Sequence, residues 1–223
     1  MIRLLVGALV SLQQAVPPGV LFEAASRNRS VTISTLIEAG SGVDVNVTDE
    51  HGRTPLHYAA GSFGTDSVRV LLNSHALCDI PDKAGVTPLV DAARQGCGLI
   101  VTLLLTAGAS AAHADRLGFT PLMWASQNGH THIVTNLLDR GAHGGVDDLY
   151  HSLFKARAQG ATECATLLRS AMEINYGAPS LLAMAAENVL RKNIPVGPQP
   201  PNLHAYLQTY GPSHPSVIQP QSK

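Results

Sequence analysis

Ten histidines and three cysteines are the side chains of this 223-residue chain best suited to catalysis or metal binding. An imidazole can move protons near neutral pH or bind a metal, and a thiolate can act as nucleophile or ligand. Either use needs partners at the right spacing. Cys78, Cys97 and Cys164 have no paired spacing suited to zinc, and an odd count argues against a disulfide framework. His130 and His132 flank Thr131, but a metal between them needs further ligands that the sequence does not offer. Gly40, Gly42, Gly61 and Gly64 are not followed by the Lys-Ser or Lys-Thr of a phosphate loop. His57 is the histidine best placed to suggest a mechanism, yet no Ser, His and Asp arrangement stands outside a pattern that recurs along the chain. No catalytic residue, metal or cofactor is expected.

That recurring pattern decides how the rest of the chain is organised. Thr54-Pro55-Leu56, Thr87-Pro88-Leu89 and Thr120-Pro121-Leu122 stand 33 positions apart (87 − 54 and 120 − 87). Asp49, Asp82 and Asp115 recur in step, as do Gly52, Gly85 and Gly118 and the pairs Leu71-Leu72, Leu104-Leu105 and Leu137-Leu138. Asp-x-x-Gly predicts a tight turn, because aspartate caps local backbone donors and glycine accepts positive φ. Thr-Pro predicts a helix start, with threonine as cap and proline where no donor is needed. Val68, Leu71 and Leu72, matched by Ile133, Leu137 and Leu138, predict a second helix in each unit. Such a unit cannot bury its apolar face alone, so neighbours must stack.

The period, together with Arg53-Thr54-Pro55-Leu56-His57-Tyr58-Ala59-Ala60, resembles the ankyrin-repeat family. The resemblance implies an all-α solenoid of helix-turn-helix repeats with short hairpin loops, and protein binding as its activity. It gives His57 a structural hydrogen bond near the helix start. Repeats are expected at 49–81, 82–114 and 115–147, with a partial one at 20–48 and a degenerate one at 148–172. The last is aligned through His151–Thr162, with a weak second helix over Thr162–Leu168. Residues 1–19, beginning Met1-Ile2-Arg3-Leu4-Leu5, form an apolar segment. It reads as a helix packing over the first repeat, with a faint secretory pattern as the other reading.

In ankyrin proteins the partner surface is the concave face, made of hairpin tips and the exposed side of each first helix. By register the tips here include Glu50, His51 and Arg53, then Lys83 and Val86, then Arg116, Leu117 and Phe119. The helix positions include Arg94, Gln95, Gln127 and Asn128. Tyr58, Asp91 and Trp124 share one repeat position, which a site admitting all three types makes partly buried. Arg53, Lys83, Arg94 and Arg116 make the set basic although the chain carries a net charge of −1. Leu117 and Phe119 add apolar surface beside them, which suits a partner segment with acidic and apolar residues. That net charge gives no reason to expect nucleic acid or a membrane. A monomer in a reducing compartment, the cytoplasm or also the nucleus, is expected.

The segment Ser180–Asn193 reads as a capped helix whose stripe is Leu181, Met184, Ala185 and Val189. Ser180, Leu181, Ala185 and Val189 resemble the elongin-binding box of SOCS-box proteins, with alanine where the family carries cysteine. Pro198, Pro200, Leu203, Tyr206 and Leu207 are similar to the cullin-selecting segment that follows it, with Gly197 and Gln199 at its apolar places. The order over 173–207 resembles the ankyrin repeat and SOCS box family, which implies elongin B–C and a cullin as partners and a role in a ubiquitin ligase. The same stripe also suits a helix that covers the open end of the solenoid. Residues 208–223 read as a disordered tail of the proline-rich C-terminus.

Overall fold

A computed structural model describes residues 18–39, 43–141 and 145–176. Ten helices occupy them: α1 Pro18–Ser26, α2 Ser30–Glu38, α3 Pro55–Gly61, α4 Thr65–Asn73, α5 Pro88–Gln95, α6 Gly98–Thr106, α7 Pro121–Gln127, α8 Thr131–Asp139, α9 Val146–Ala158 and α10 Thr162–Tyr176. They form five pairs. The first helices stack in the order α1, α3, α5, α7, α9, and the second helices in the order α2, α4, α6, α8, α10. The expected all-α repeat solenoid is the fold.

Each layer is built from the same positions. Leu21, Leu56, Leu89, Leu122 and Leu153 fall in register along the first helices and are all buried. Ala24-Ala25, Ala59-Ala60, Ala92-Ala93 and Ala125-Ser126 lie beside them at 3% exposure or less, so adjacent helix backbones approach closely. On the second helices, Ile33 and Leu36, Val68 and Leu71, Val101 and Leu104, and Val134 and Leu137 fill the space between layers. Thr54, Thr87 and Thr120 stand in extended backbone before Pro55, Pro88 and Pro121, as the helix-start reading requires.

The Asp-x-x-Gly turns form as expected. Asp49 Oδ1 accepts from the backbone N–H of His51 and Arg53, each at 2.8 Å. Asp82 does the same for Ala84 and Val86, and Asp115 for Leu117 and Phe119. Gly52, Gly85 and Gly118 close these turns at φ +79°, +78° and +80°. Successive tips are tied together, with Lys83 N–H donating to His51 O at 2.9 Å and Arg116 N–H to Ala84 O at 3.0 Å.

Both ends depart from the sequence reading. Helix α1 opens at Pro18, inside the segment assigned to the N-terminal 1–19. The degenerate repeat has no Thr-Pro start, so α9 begins at Val146 and runs 13 residues against 7 or 8 in α3, α5 and α7. Asp147 and Asp148 lie in its first turn, where acid suits the helix dipole. Asp148 Oδ1 also accepts from Thr120 Oγ1 at 2.6 Å, which pins the long helix to the preceding repeat. The weak helix expected over 162–168 is 15 residues long and reaches Tyr176, with Cys164, Leu168 and Met172 buried along one side.

Candidate partner-binding face

The face of hairpin tips and first helices is organised around one buried carboxylate. Asp91 is 1% exposed, not partly buried as its repeat position suggested. Its Oδ2 pairs with Arg53 Nη2 of the preceding repeat, and its Oδ1 accepts from Arg94 Nη2 at 2.6 Å. Two guanidinium groups sharing one carboxylate supply what a buried charge needs. Each also lies over an aromatic ring, Arg53 Cζ 5.1 Å from the centre of Tyr58 and Arg94 Cζ 5.6 Å from that of Trp124. The rings are anchored in turn to the hairpins. Tyr58 Oη donates to Asp49 Oδ2 at 2.7 Å, and Trp124 Nε1 to Asp115 Oδ2 at 2.9 Å. Burial pushes the Asp49 carboxyl up, but the hydrogen bonds from Tyr58, Arg53 N–H and His51 N–H outweigh it and hold Asp49 below the ordinary value. The Tyr58 phenol, bound to that carboxylate, is pushed up.

Beyond Trp124 the ladder continues into the terminal repeat. The Phe119 and Trp124 rings are 4.8 Å apart, and Lys155 Nζ lies 4.3 Å over Phe119. Burial holds the Lys155 ammonium below its ordinary pKa. Residues 58, 91, 124 and 155 occupy one repeat position, so the ladder runs straight along the first helices.

Not every expected contact residue is available to a partner. Val86 is 8% exposed, and its carbonyl oxygen accepts from His57 Nε2, so it belongs to the interior. Arg53 and Arg94 are engaged by Asp91, and Phe119 is half-covered by Trp124 and Lys155. Asn128 Nδ2 donates to Arg94 O at 2.7 Å, beside His130 Nε2 at 3.1 Å, which satisfies a carbonyl at the end of α5. Gln127 is half-buried, with its Oε1 unpartnered. Glu50, His51, Lys83, Gln95 and Arg116 are exposed, and so is the apolar Leu117, at 76%. Glu50 and His51 lie 3.6 Å apart. Asp91, Tyr58, Trp124 and Lys155 are the residues missing from the sequence-based site. An acid between two aromatics at one repeat position, with an arginine to either side, was the available signal.

The histidines and cysteines best suited by type to chemistry have structural work. His57 is fully buried; Nδ1 accepts from Thr54 N–H at 3.0 Å, so Nε2 carries the proton donated to Val86 O at 3.0 Å. Burial holds its pKa below the ordinary value. The unfolded chain therefore takes up a proton near pH 6.5 while the folded one stays neutral, and stability falls as pH drops below about 6.5. Urea midpoints measured from pH 7.5 down to pH 5 should show this slope, and a His57→Asn variant should show less of it. His130 and His132 pack against the preceding repeat. A Cβ on Gly96 would stand 2.8 Å from His130 Cε1, and one on Gly98 2.7 Å from His132 Cδ2. Burial pushes the Cys78 and Cys97 thiols up, away from the reactive thiolate. Among the described residues no three His, Cys, Asp or Glu gather as metal ligands, and no helix is long and apolar enough to cross a membrane.

The family model described as "Ankyrin repeats (3 copies)" matches residues 2–84, 21–115, 63–148 and 98–179. The chain belongs to the ankyrin-repeat family. No curated protein matches it. Ankyrin repeats are protein-interaction modules, and this ankyrin array presents Lys83, Arg116 and Leu117 exposed on its hairpin tips.

Proposed function

We propose that this face docks a partner protein and that the chain acts without catalysis, as an adaptor or inhibitor that holds the partner there. The observation that carries this reading is the company Leu117 keeps. It is 76% exposed at a hairpin tip. Lys83 and Arg116 lie on the same row of tips, exposed and with no carboxylate in ion-pair range among the described residues. A partner segment with acidic and apolar residues would neutralise the cations and cover the leucine. A photo-crosslinking phenylalanine analogue placed at Leu117 tests this, with the same analogue at Leu99 of α6 as control. Discrete adducts in cell extract are expected from position 117 alone, and Lys83→Glu with Arg116→Glu should abolish them. Equal yields at both positions, or adducts that survive the charge reversal, would sink the reading.

The sequence beyond α10 supports a second reading, as the substrate-recognition subunit of an elongin–cullin–RING ubiquitin ligase. Ser180, Leu181, Ala185, Val189 and Pro198, Pro200, Leu203, Tyr206, Leu207 lie outside the described residues, and Ser180 follows four residues after the end of α10 at Tyr176. A helix inserting Leu181 into a groove would tether the ligase, and the ankyrin face would raise the local concentration of the target. Co-purification with the elongin B–C heterodimer decides between them. Capture that is lost in Leu181→Ala Val189→Ala establishes the ligase reading, and no capture by the folded wild type removes it.

A further inference from the structure

We propose that the C-terminal end of the array holds an oxyanion socket, in which Arg157 and Arg169 receive a carboxylate or phosphate carried on a side chain of a partner protein. The socket is separate from the row of hairpin tips and does not depend on what that row binds.

The socket is a cavity of about 300 Å³ lined by Arg157, Gly160, Thr162, Ala165, Thr166 and Arg169. Arg157 comes from the last turn of α9, and Thr162, Ala165, Thr166 and Arg169 share one face of α10. Register explains why a cavity opens here. Thr162 follows Thr131, and Gly160 follows Gly129, by 31 positions (162 − 131 and 160 − 129). Where the inner layers carry Ala60, Ala93 and Ser126, the last layer carries Arg157. Where they carry Val68, Val101 and Val134 it carries Ala165, and where they carry Leu72, Leu105 and Leu138 it carries Arg169. The alanines, serine and valines of the inner layers are fully buried. Alanine in place of valine leaves room, and the two arginines line it with positive charge. A polar outer face keeps a solenoid soluble, but solubility needs neither a cavity nor two cations on its walls.

The array also carries a precedent for what fills this place. One layer earlier, Glu163 Oε2 of α10 stands 3.4 Å from Thr131 Oγ1 of α8. A Cβ on Gly129 would meet Ala161 Cβ of the next layer at 3.7 Å, whereas one on Gly160 would meet nothing within 4 Å. A partner seated on the open end therefore takes the place of a next layer, and a carboxylate over Thr162 repeats the contact that Glu163 makes with Thr131. The arginines favour that anion further. Each guanidinium has five N–H donors in a fork matched to carboxylate or phosphate, so a bond elsewhere in the chain leaves donors for a ligand. No acid is among the residues lining the cavity.

Arginine side-chain NMR on the whole chain, labelled with nitrogen-15, tests the socket. The titrants are inorganic phosphate and two short Ser/Ala peptides, one with a single phosphoserine and one with a single Glu. The Nε–H signals of Arg157 and Arg169 should move and saturate, while those of Arg27 and Arg69, exposed in the first two layers, stay in place. Ala165→Val and Arg169→Leu each restore the residue of the inner layers, and each should weaken binding by about tenfold with the helical content unchanged. Ala165→Val is the sharper variant, because it narrows the cavity and keeps both charges. Saturable binding of either peptide supports the proposal, and the pair tells carboxylate from phosphate. Binding of inorganic phosphate but of neither peptide, or no binding at all, overturns it. So does equal movement of all four arginines, or peptide binding that survives Ala165→Val, since either means diffuse surface charge.

Discussion

An Asp91→Asn substitution should lower the stability of the array by about 2–3 kcal/mol, because it leaves two stacked guanidinium groups without their shared counter-charge. The figure lies below that for a fully enclosed ion pair, since the Arg53 and Arg94 side chains keep 27% and 37% of their exposure and water screens them in part. In a chain of this size the thermal midpoint should fall by about 5–10 °C, measured by circular dichroism at neutral pH. Arg53→Met should do less harm, since Arg94 remains on Asp91 and the methionine still covers Tyr58. An Asp91→Asn variant that melts with the wild type would mean the bridge is decoration.

A Leu89→Ala substitution in α5 should be harsher, about 3–5 kcal/mol, because the side chain is wholly buried between two neighbouring layers that cannot collapse into the gap. Its position should also change the form of unfolding. Each repeat touches only its neighbours, so a weak central layer uncouples the two halves, and a weak end layer frays by itself. Leu153→Ala in α9 is the comparison: hydrogen exchange should rise in α9 and α10 alone, whereas Leu89→Ala should raise it across α3 to α8. Identical exchange patterns from the two variants would contradict nearest-neighbour stacking.

The repeat interior was legible because one pattern was written three times in full. Asp49, Gly52, Thr54, Leu56 and their counterparts each have one local task, a turn, a cap or a buried contact, that the residue type names by itself. The ends were less legible for the same reason. Without Thr-Pro to mark its start, α9 could begin upstream of the aligned segment, and nothing in Thr162–Leu168 announced that α10 would continue to Tyr176. The face was legible only in part. Leu117, Lys83 and Arg116 followed from register, because a hairpin tip points to solvent whatever it carries. Val86 did not, because its carbonyl serves the histidine of the previous repeat. Asp91 did not either: its burial depends on arginines 38 residues before it and 3 after it, a pairing that no single repeat contains.

That pairing restricts how the gene could be rearranged. The period invites the idea that repeats are tiles, to be duplicated, deleted or reordered with the core intact. The interiors would tolerate it, since Leu56, Leu89 and Leu122 fill equivalent places. The face would not. A second copy of residues 82–114 set beside the first would place a Val86 where one Asp91 requires Arg53, and would leave that buried acid with Arg94 alone. Removing the same tile would set Arg53 and Tyr58 beside Trp124, with no anion between them. Insertions and deletions in this protein's lineage should therefore fall outside residues 49–124, at the two ends of the array.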